Sequence, residues 1–351
     1  MDLACFLVPE LVGYKDFTRQ DLKFAVIGFG KMGILHSAIL NLLVPHCVEA
    51  VVDKSYLLTF GGSRLIKTVR FYRDLMKMVR TENPDAVYVT TPAHSHYPVV
   101  SGLLEAGVRY IFVEKPPTTC LNELNLLLNK TRNDQIVMVG FQKRYSLPFR
   151  HARMLLSSSV VGDVEEVYGS IKSSDIMAPT GRFDLLGRGV LLDVAVHLID
   201  LLVWLFDIDK VETASCESIH TRVDDCFEAR LRTKDDVKVV LEATWSSPGH
   251  RLPETSLEVH GSKGVLKVTE DHIGIKLTED SPLLNDKAQL AMYRPEYYQS
   301  VPPINLADPE YVIEDMHFLS SIYSSVQPLT SLRNASHVMK IVDELYRKAG
   351  K

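Results

Sequence analysis

Three observations predict an α/β protein built on a doubly wound parallel sheet and continued by an α+β region with an antiparallel sheet. The apolar run Lys23-Phe24-Ala25-Val26-Ile27 leads directly into Gly28-Phe29-Gly30-Lys31-Met32-Gly33 and then into the helical stretch Ile34 to Leu43. Short β-rich runs then alternate with helical patterns as far as residue 142, the rhythm of parallel strands joined by helical crossovers. After Arg144 that rhythm gives way to successive strand runs joined by tight turns, which is the pattern of hairpins.

Taken in order, the chain opens with an extension over 1–20 to which the sequence assigns no role. Strands are expected at Phe24 to Gly28, Val48 to Asp53, Val69 to Tyr72, Ala86 to Thr91, Tyr110 to Glu114 and Ile136 to Gly140. Each is a short β-branched or aromatic run bounded by turn residues. Helical spacing of apolar residues marks Arg73 to Thr81, Tyr97 to Ala106 and Leu121 to Thr131. A dinucleotide-binding domain is therefore placed at 21–142 and a second domain at 143–351.

The second domain begins with a helix at Phe149 to Ser157 and a strand at Val164 to Ser173, followed by a long apolar helix from Val190 to Phe206. Strands follow at Val211 to His220, Cys226 to Thr233, Val237 to Ser246, Ser256 to His260 and Val265 to Thr269, separated by turns such as Lys234-Asp235-Asp236 and Gly261-Ser262-Lys263-Gly264. Ser281 to Pro309 has several prolines and little periodicity and reads as a long loop. Helices close the chain at Tyr311 to Ser325 and Ser331 to Ala349.

Composition narrows the classes of function. The 351 residues give enough sequence for two cores at ~150 residues per domain. A net charge of −5 without a basic tract argues against a nucleic-acid partner, because phosphate binding needs clustered Lys and Arg. Cys5, Cys47, Cys120, Cys216 and Cys226 are scattered, with neither CxxC nor zinc-ligand spacing, so they read as reduced thiols of a cytoplasmic protein and no metal is expected. Met1 to Pro9 lacks the charged start of a secretory signal, and Val190 to Phe206 carries Asp193, His197 and Asp200. A membrane span would not readily accept those three, so no membrane partner is expected.

The chemistry is expected at four places besides the glycine turn. In that turn, Gly28 permits the tight bend, Gly30 lets backbone approach a pyrophosphate, and Gly33 allows close helix packing. Phe29, Lys31 and Met32 complete the loop, and free N–H groups at the helix start bind phosphate. Asp53 ends the second strand, where a carboxylate accepts from the adenosine ribose hydroxyls or is simply a solvated strand-end acid. Lys54 beside it tolerates a phosphate, so NAD is expected and NADP remains possible.

Thr91-Pro92 ends another strand just before His96, which either lies on the nicotinamide side or sits on the surface. Glu114-Lys115-Pro116 ends the next. Lys115 there either stabilises negative charge on a reacting oxygen or is an exposed loop lysine. Asp193 and His197, four apart on an apolar helix, are a satisfied core pair or an acid/base pair facing a cleft.

Gly28 to Gly33, Thr91-Pro92 with His96, Glu114-Lys115-Pro116 and Asp193-x-x-x-His197, in that order, resemble the Gfo/Idh/MocA oxidoreductase family. The resemblance covers nearly everything after residue 20. It implies a Rossmann domain and an α/β substrate domain whose open antiparallel sheet mediates assembly, here into a homodimer or homotetramer. It also implies a catalytic set of Lys115, Asp193 and His197, with Gln142, Arg144, Tyr145, Arg182 and Arg188 as substrate-lining residues. Ala195 stands where the family usually has Gly, and Arg188 interrupts a glycine-rich approach to the helix. The expected activity is hydride transfer between nicotinamide and a secondary alcohol of a sugar, sugar derivative, sugar nucleotide or cyclitol. The same resemblance admits an NAD-dependent glycosidase with transient internal oxidation, and the cofactor motifs alone admit a non-catalytic sensor.

Overall fold

A computed structural model of the chain describes residues 22–174, 189–219, 223–249, 253–282, 284, 286–292 and 309–351. The expected extension over 1–20 lies outside them.

The first half builds a six-stranded sheet. Its elements in chain order are β1 (Phe24–Ile27), α1 (Lys31–Leu43), β2 (Val48–Val52), α2 (Tyr56–Leu65), β3 (Arg70–Tyr72), α3 (Leu75–Glu82), β4 (Ala86–Val89), α4 (His96–Glu105), β5 (Tyr110–Glu114), α5 (Leu121–Lys130) and β6 (Ile136–Gly140). The strands run parallel in the order β3-β2-β1-β4-β5-β6. β1, β4 and β6 are buried at every position, which is why they read as unbroken apolar runs rather than alternating ones. The order reverses between β1 and β4, and a crevice for a ligand forms outside the carboxyl ends of strands at such a switch.

The second half is a sheet backed by helices. It comprises α6 (Leu147–Ser157), β7 (Val164–Lys172), a π-helical turn at Leu191–Ala195, α7 (Val196–Phe206), β8 (Ile208–Glu217), β9 (Cys226–Thr233), β10 (Lys238–Thr244), β11 (Glu254–Gly261), β12 (Gly264–Thr269), β13 (His272–Leu277) and β14 (Ala288–Met292). The strand order is β14-β13-β12-β11-β7-β10-β9-β8. The pairings are antiparallel as expected, except that β7 and β10 run parallel. Alternation sends Val167, Ile171, Leu231, Leu241, Leu257 and Val259 to the buried face. A Cβ on Gly169 would stand 3.0 Å from Leu198 of α7, so helix and sheet pack closely there.

Two helices follow, α8 (Glu310–Ser324) and α9 (Leu332–Lys348). By packing, the described residues up to Phe141 form one compact unit together with the C-terminal stretch that includes α8 and ends at Ser336. The other unit runs from Gln142 and closes with His337–Lys351. Chain order had placed all of 143–351 in the second domain; instead α8 packs with α1 and β6, and its Phe318 meets the stacked rings of Tyr88 and Phe112 at 5.5 and 5.9 Å.

The fold also contains elements the sequence does not signal. α2 carries Gly61-Gly62 and leaves Leu57 80% exposed, so it lacks a clean apolar stripe. β13 was not read at all, and β14 falls inside the stretch Ser281 to Pro309 read as loop. Among the described residues, no helix is long and apolar enough to cross a membrane. Cys47, Cys120, Cys216 and Cys226 are free thiols, and burial pushes that of Cys47 up to about 12.

Candidate functional site

Each glycine of the Gly28–Gly33 turn meets a different steric demand. Gly28 has φ +91°, and a Cβ there would press to 2.9 Å on the carbonyl of Thr90. The Thr90 hydroxyl donates to Gly28 O at 2.7 Å and lies 3.1 Å from Ile27 O, closing the turn from β4. A Cβ on Gly33 would stand 2.0 Å from Gly28 O.

Gly30 differs, because a Cβ there would meet nothing within 4 Å. It caps α1 without a side-chain hydrogen bond, and the first turn of that helix has no acidic residue. Open space in front of an uncapped helix start is what a diphosphate requires, since the free N–H groups and the helix dipole both favour an anion. The residues present therefore fit a dinucleotide. Lys31 is exposed, and Met32 partly buried, at the same helix start.

The Asp53 carboxylate faces this turn. One oxygen accepts from Phe29 N at 2.7 Å and the other from Ser55 N at 2.7 Å, so the end of β2 is tied to the glycine loop. Each oxygen keeps acceptor capacity for a ribose hydroxyl. Phe29 packs edge-on against Phe71 at 5.6 Å, and Lys54 is exposed.

Beside it, the ends of β4 and β5 are fastened together. His96 is buried, with Nε2 2.6 Å from Thr91 O and Nδ1 2.7 Å from Pro116 O. Two carbonyls at these distances match an imidazolium, which donates from both nitrogens, while burial lowers the pKa of the ring and works against that charge. His96 thus holds two loops by their backbones, and it is neither a surface residue nor one with a ring nitrogen turned to a ligand. Pro92 is exposed, and the Ser95 hydroxyl bridges Pro92 O and Thr91 Oγ1 at 2.7 and 2.8 Å. Glu114 also points inward: its carboxylate takes His36 Nε2 at 3.1 Å and Lys115 N at 3.1 Å. Lys115 is partly exposed at the carboxyl edge of the sheet, and the Lys115–Pro116 peptide is cis.

In the second unit, Gln142–Tyr145 forms a buried 3₁₀ turn. Arg144 was expected to line a substrate pocket, but its Nε and Nη2 donate to the two oxygens of Asp200 at 2.7 and 2.6 Å. The guanidinium is thereby committed to α7. Burial pushes the Asp200 carboxyl up against the pull of Arg144, yet the two-pronged geometry is that of a carboxylate. Lys143 pairs with Glu270 at 3.2 Å, and Tyr145 is fully buried. Arg182 and Arg188 lie outside the described residues.

Asp193 is partly buried on the π-helical turn, and His197 is buried in the first turn of α7. The sequence predicted one continuous helix; the π turn re-aims Asp193, a device frequent at functional sites. Its start is clamped by Asp224, whose carboxylate accepts from Gly189 N and Leu191 N at 3.2 Å each, while Val190 N donates to Asp224 O at 2.7 Å. A Cβ on Gly189 would stand 2.0 Å from that carbonyl, so the position requires glycine. Lys115 belongs to the first unit, and Asp193 and His197 to the second.

Sequence reasoning missed Thr90, Asp200, Asp224 and His36. Only Asp200 carried a usable signal, since an acid inside an apolar helix calls for a buried cation.

Known proteins share this sequence pattern and fold. Residues 22–141 match the family described as "Oxidoreductase family, NAD-binding Rossmann fold", and residues 149–267 match the GFO/IDH/MocA C-terminal domain. Inositol 2-dehydrogenase/D-chiro-inositol 3-dehydrogenase of Lacticaseibacillus casei is 26% identical over 72% of this chain and 74% of its own. Myo-inositol 2-dehydrogenase of Thermotoga maritima is 23% identical over 56% of this chain and 59% of its own. Levoglucosan dehydrogenase, solved in complex with NADH and levoglucosan, superposes with a TM-score of 0.82 at 20% identity, over 94% of this chain and 97% of that one.

Proposed function

The chain belongs to the Gfo/Idh/MocA family and is an NAD-binding oxidoreductase, and from that premise we propose that it oxidises, reversibly, a secondary alcohol of a sugar, sugar derivative or cyclitol. The observation that carries the reading is the glycine turn, where Gly30 leaves open space before the uncapped start of α1. The relatives named as inositol and levoglucosan dehydrogenases support the substrate class. NAD supplies the hydride acceptor when bound.

The chain's own residues bind, orient and move the proton. The N-terminus of α1 holds the diphosphate, and Asp53 holds the adenosine ribose. Lys115 donates to the reacting oxygen and stabilises negative charge as it develops. His197 accepts the hydroxyl proton, and Asp193 orients the hydroxyl. The alcohol loses one hydride and one proton and becomes a carbonyl. Gln142 belongs to the same reading as a lining residue, whereas Tyr145, with no exposed surface, is part of the core. The reading also includes a cytoplasmic location and assembly into a homodimer or homotetramer through the open sheet.

The test is nicotinamide absorbance with purified protein, NAD or NADP, and a panel of sugars, sugar acids, cyclitols and sugar nucleotides. Lys115→Ala should slow reduction at least ~100-fold, the scale for removing one donor to a developing oxyanion. A folded Lys115→Ala variant that keeps the wild-type rate would remove Lys115 from the chemistry.

A further inference from the structure

Beneath Lys115 the first unit buries ionisable groups that the proposed hydride transfer does not itself use. His36, on α1 one turn beyond the glycine loop, is completely buried. Its Nε2 lies 3.1 Å from Glu114 Oε1, and its Nδ1 lies 2.9 and 3.0 Å from the two oxygens of Asp315 on α8. The Tyr88 hydroxyl donates to Asp315 Oδ1 at 3.2 Å. The other Glu114 oxygen accepts from Lys115 N at 3.1 Å. A continuous chain of hydrogen bonds therefore runs from α8 through α1 to the backbone of Lys115.

Two carboxylates on the two ring nitrogens require both nitrogens to donate, so the ring is an imidazolium. Burial alone would strip that charge, but Asp315 and Glu114 outweigh it and hold the His36 pKa well above the ordinary histidine value. Glu314, also completely buried, is pushed well above the ordinary carboxyl range by burial and by the Glu114 charge. Without His36, Glu114 would be left as a buried carboxylate beside another acid. It would then turn towards the open edge, and that change loosens its hold on Lys115 N.

Helix α1 presents the diphosphate site at its start, and β5 presents Lys115 at its end. The spacing of these two segments has to match one dinucleotide. We propose that His36 is a positioning residue that braces the glycine-turn helix against Glu114 and so sets the placement of the Lys115 loop for NAD. The proposal rests on the reading that Lys115 faces the nicotinamide.

The test separates the two ring contacts. His36→Gln places an amide near the Nε2 position, within reach of Glu114, whereas His36→Asn places it near Nδ1, facing Asp315. NADH affinity by fluorescence titration should fall about tenfold or more in His36→Asn and stay within about threefold in His36→Gln, the scale of one charge-assisted hydrogen bond. Both should lose thermal stability to a similar extent, so a merely structural role predicts no split in affinity. Equal affinities in the two variants, whether high or low, would overturn the proposal. Where neither variant folds, Glu114→Gln serves instead. Its amide offers an oxygen to only one of Lys115 N and His36 Nε2, and unchanged NADH affinity would then overturn the proposal. Wild-type protein that binds no NADH would overturn the cofactor reading along with this one. A His36 split beside an unaffected Lys115→Ala rate would instead remove only the chemical role of Lys115.

Discussion

Gly30 and Gly33 look equivalent in the sequence motif, and the structure assigns them opposite work. The Cβ of Gly33→Ala would collide with Gly28 O at 2.0 Å, a backbone atom that cannot step aside, so this variant should lose both thermal stability and NADH affinity. The Cβ of Gly30→Ala would meet nothing within 4 Å, so the protein should keep its melting temperature yet bind NADH at least about tenfold more weakly, because the methyl enters the space offered to the diphosphate. Thermal melts beside NADH titrations check both, and a Gly30→Ala protein that binds NADH normally would move the diphosphate elsewhere. The glycines were readable because their requirement is local, within a few residues of chain. His36 was not readable, because its meaning depends on Asp315, 279 positions away.

Elements repeat this division between local and distant causes. β4 and β6 are short buried runs and announce themselves, whereas α2 has an exposed apolar surface and paired glycines that no periodicity captures. The helix carrying Asp193 and His197 was placed correctly by its apolar length, but its π turn and its cap were invisible. The cap is Asp224, which reaches Gly189 N across 35 positions. Asp224→Ala should cost about 1–2 kcal/mol, the upper range for losing an N-terminal cap. It should also reduce turnover by more than its loss of stability explains, because Asp193 rides on the turn that Asp224 clamps. Asp224→Asn keeps one acceptor and should lose less. Denaturant melts paired with rates check this, and an Asp224→Ala enzyme with wild-type turnover would show that the clamp does not position Asp193.

Across the whole molecule, the buried charges set how stability responds to pH. Burial, reinforced by Glu114, raises the Glu314 pKa well above the ordinary value, and His36 is raised as well. A raised folded pKa means that the folded state holds its proton where the unfolded chain has released it. Stability from such a group is complete below the unfolded pKa and is lost as pH rises towards the folded one. For Glu314 the loss begins near about pH 4.3, and for His36 near about pH 6.5. His96 and His151 act oppositely, because burial lowers both; their destabilising effect is confined to pH below about 6.5. Above that value the raised groups dominate, so the melting temperature should fall from neutral into alkaline pH. Glu314→Gln keeps the shape of the side chain and removes one of these titrations. It should match the wild type near about pH 4 and gain on it as pH rises, by up to about 1.4 kcal/mol per pH unit while the folded protein retains that proton. Denaturant melts at about pH 4, 6 and 8 would show the two curves diverging, and parallel curves would mean that Glu314 is already ionised in the folded protein, with a cation or water satisfying it.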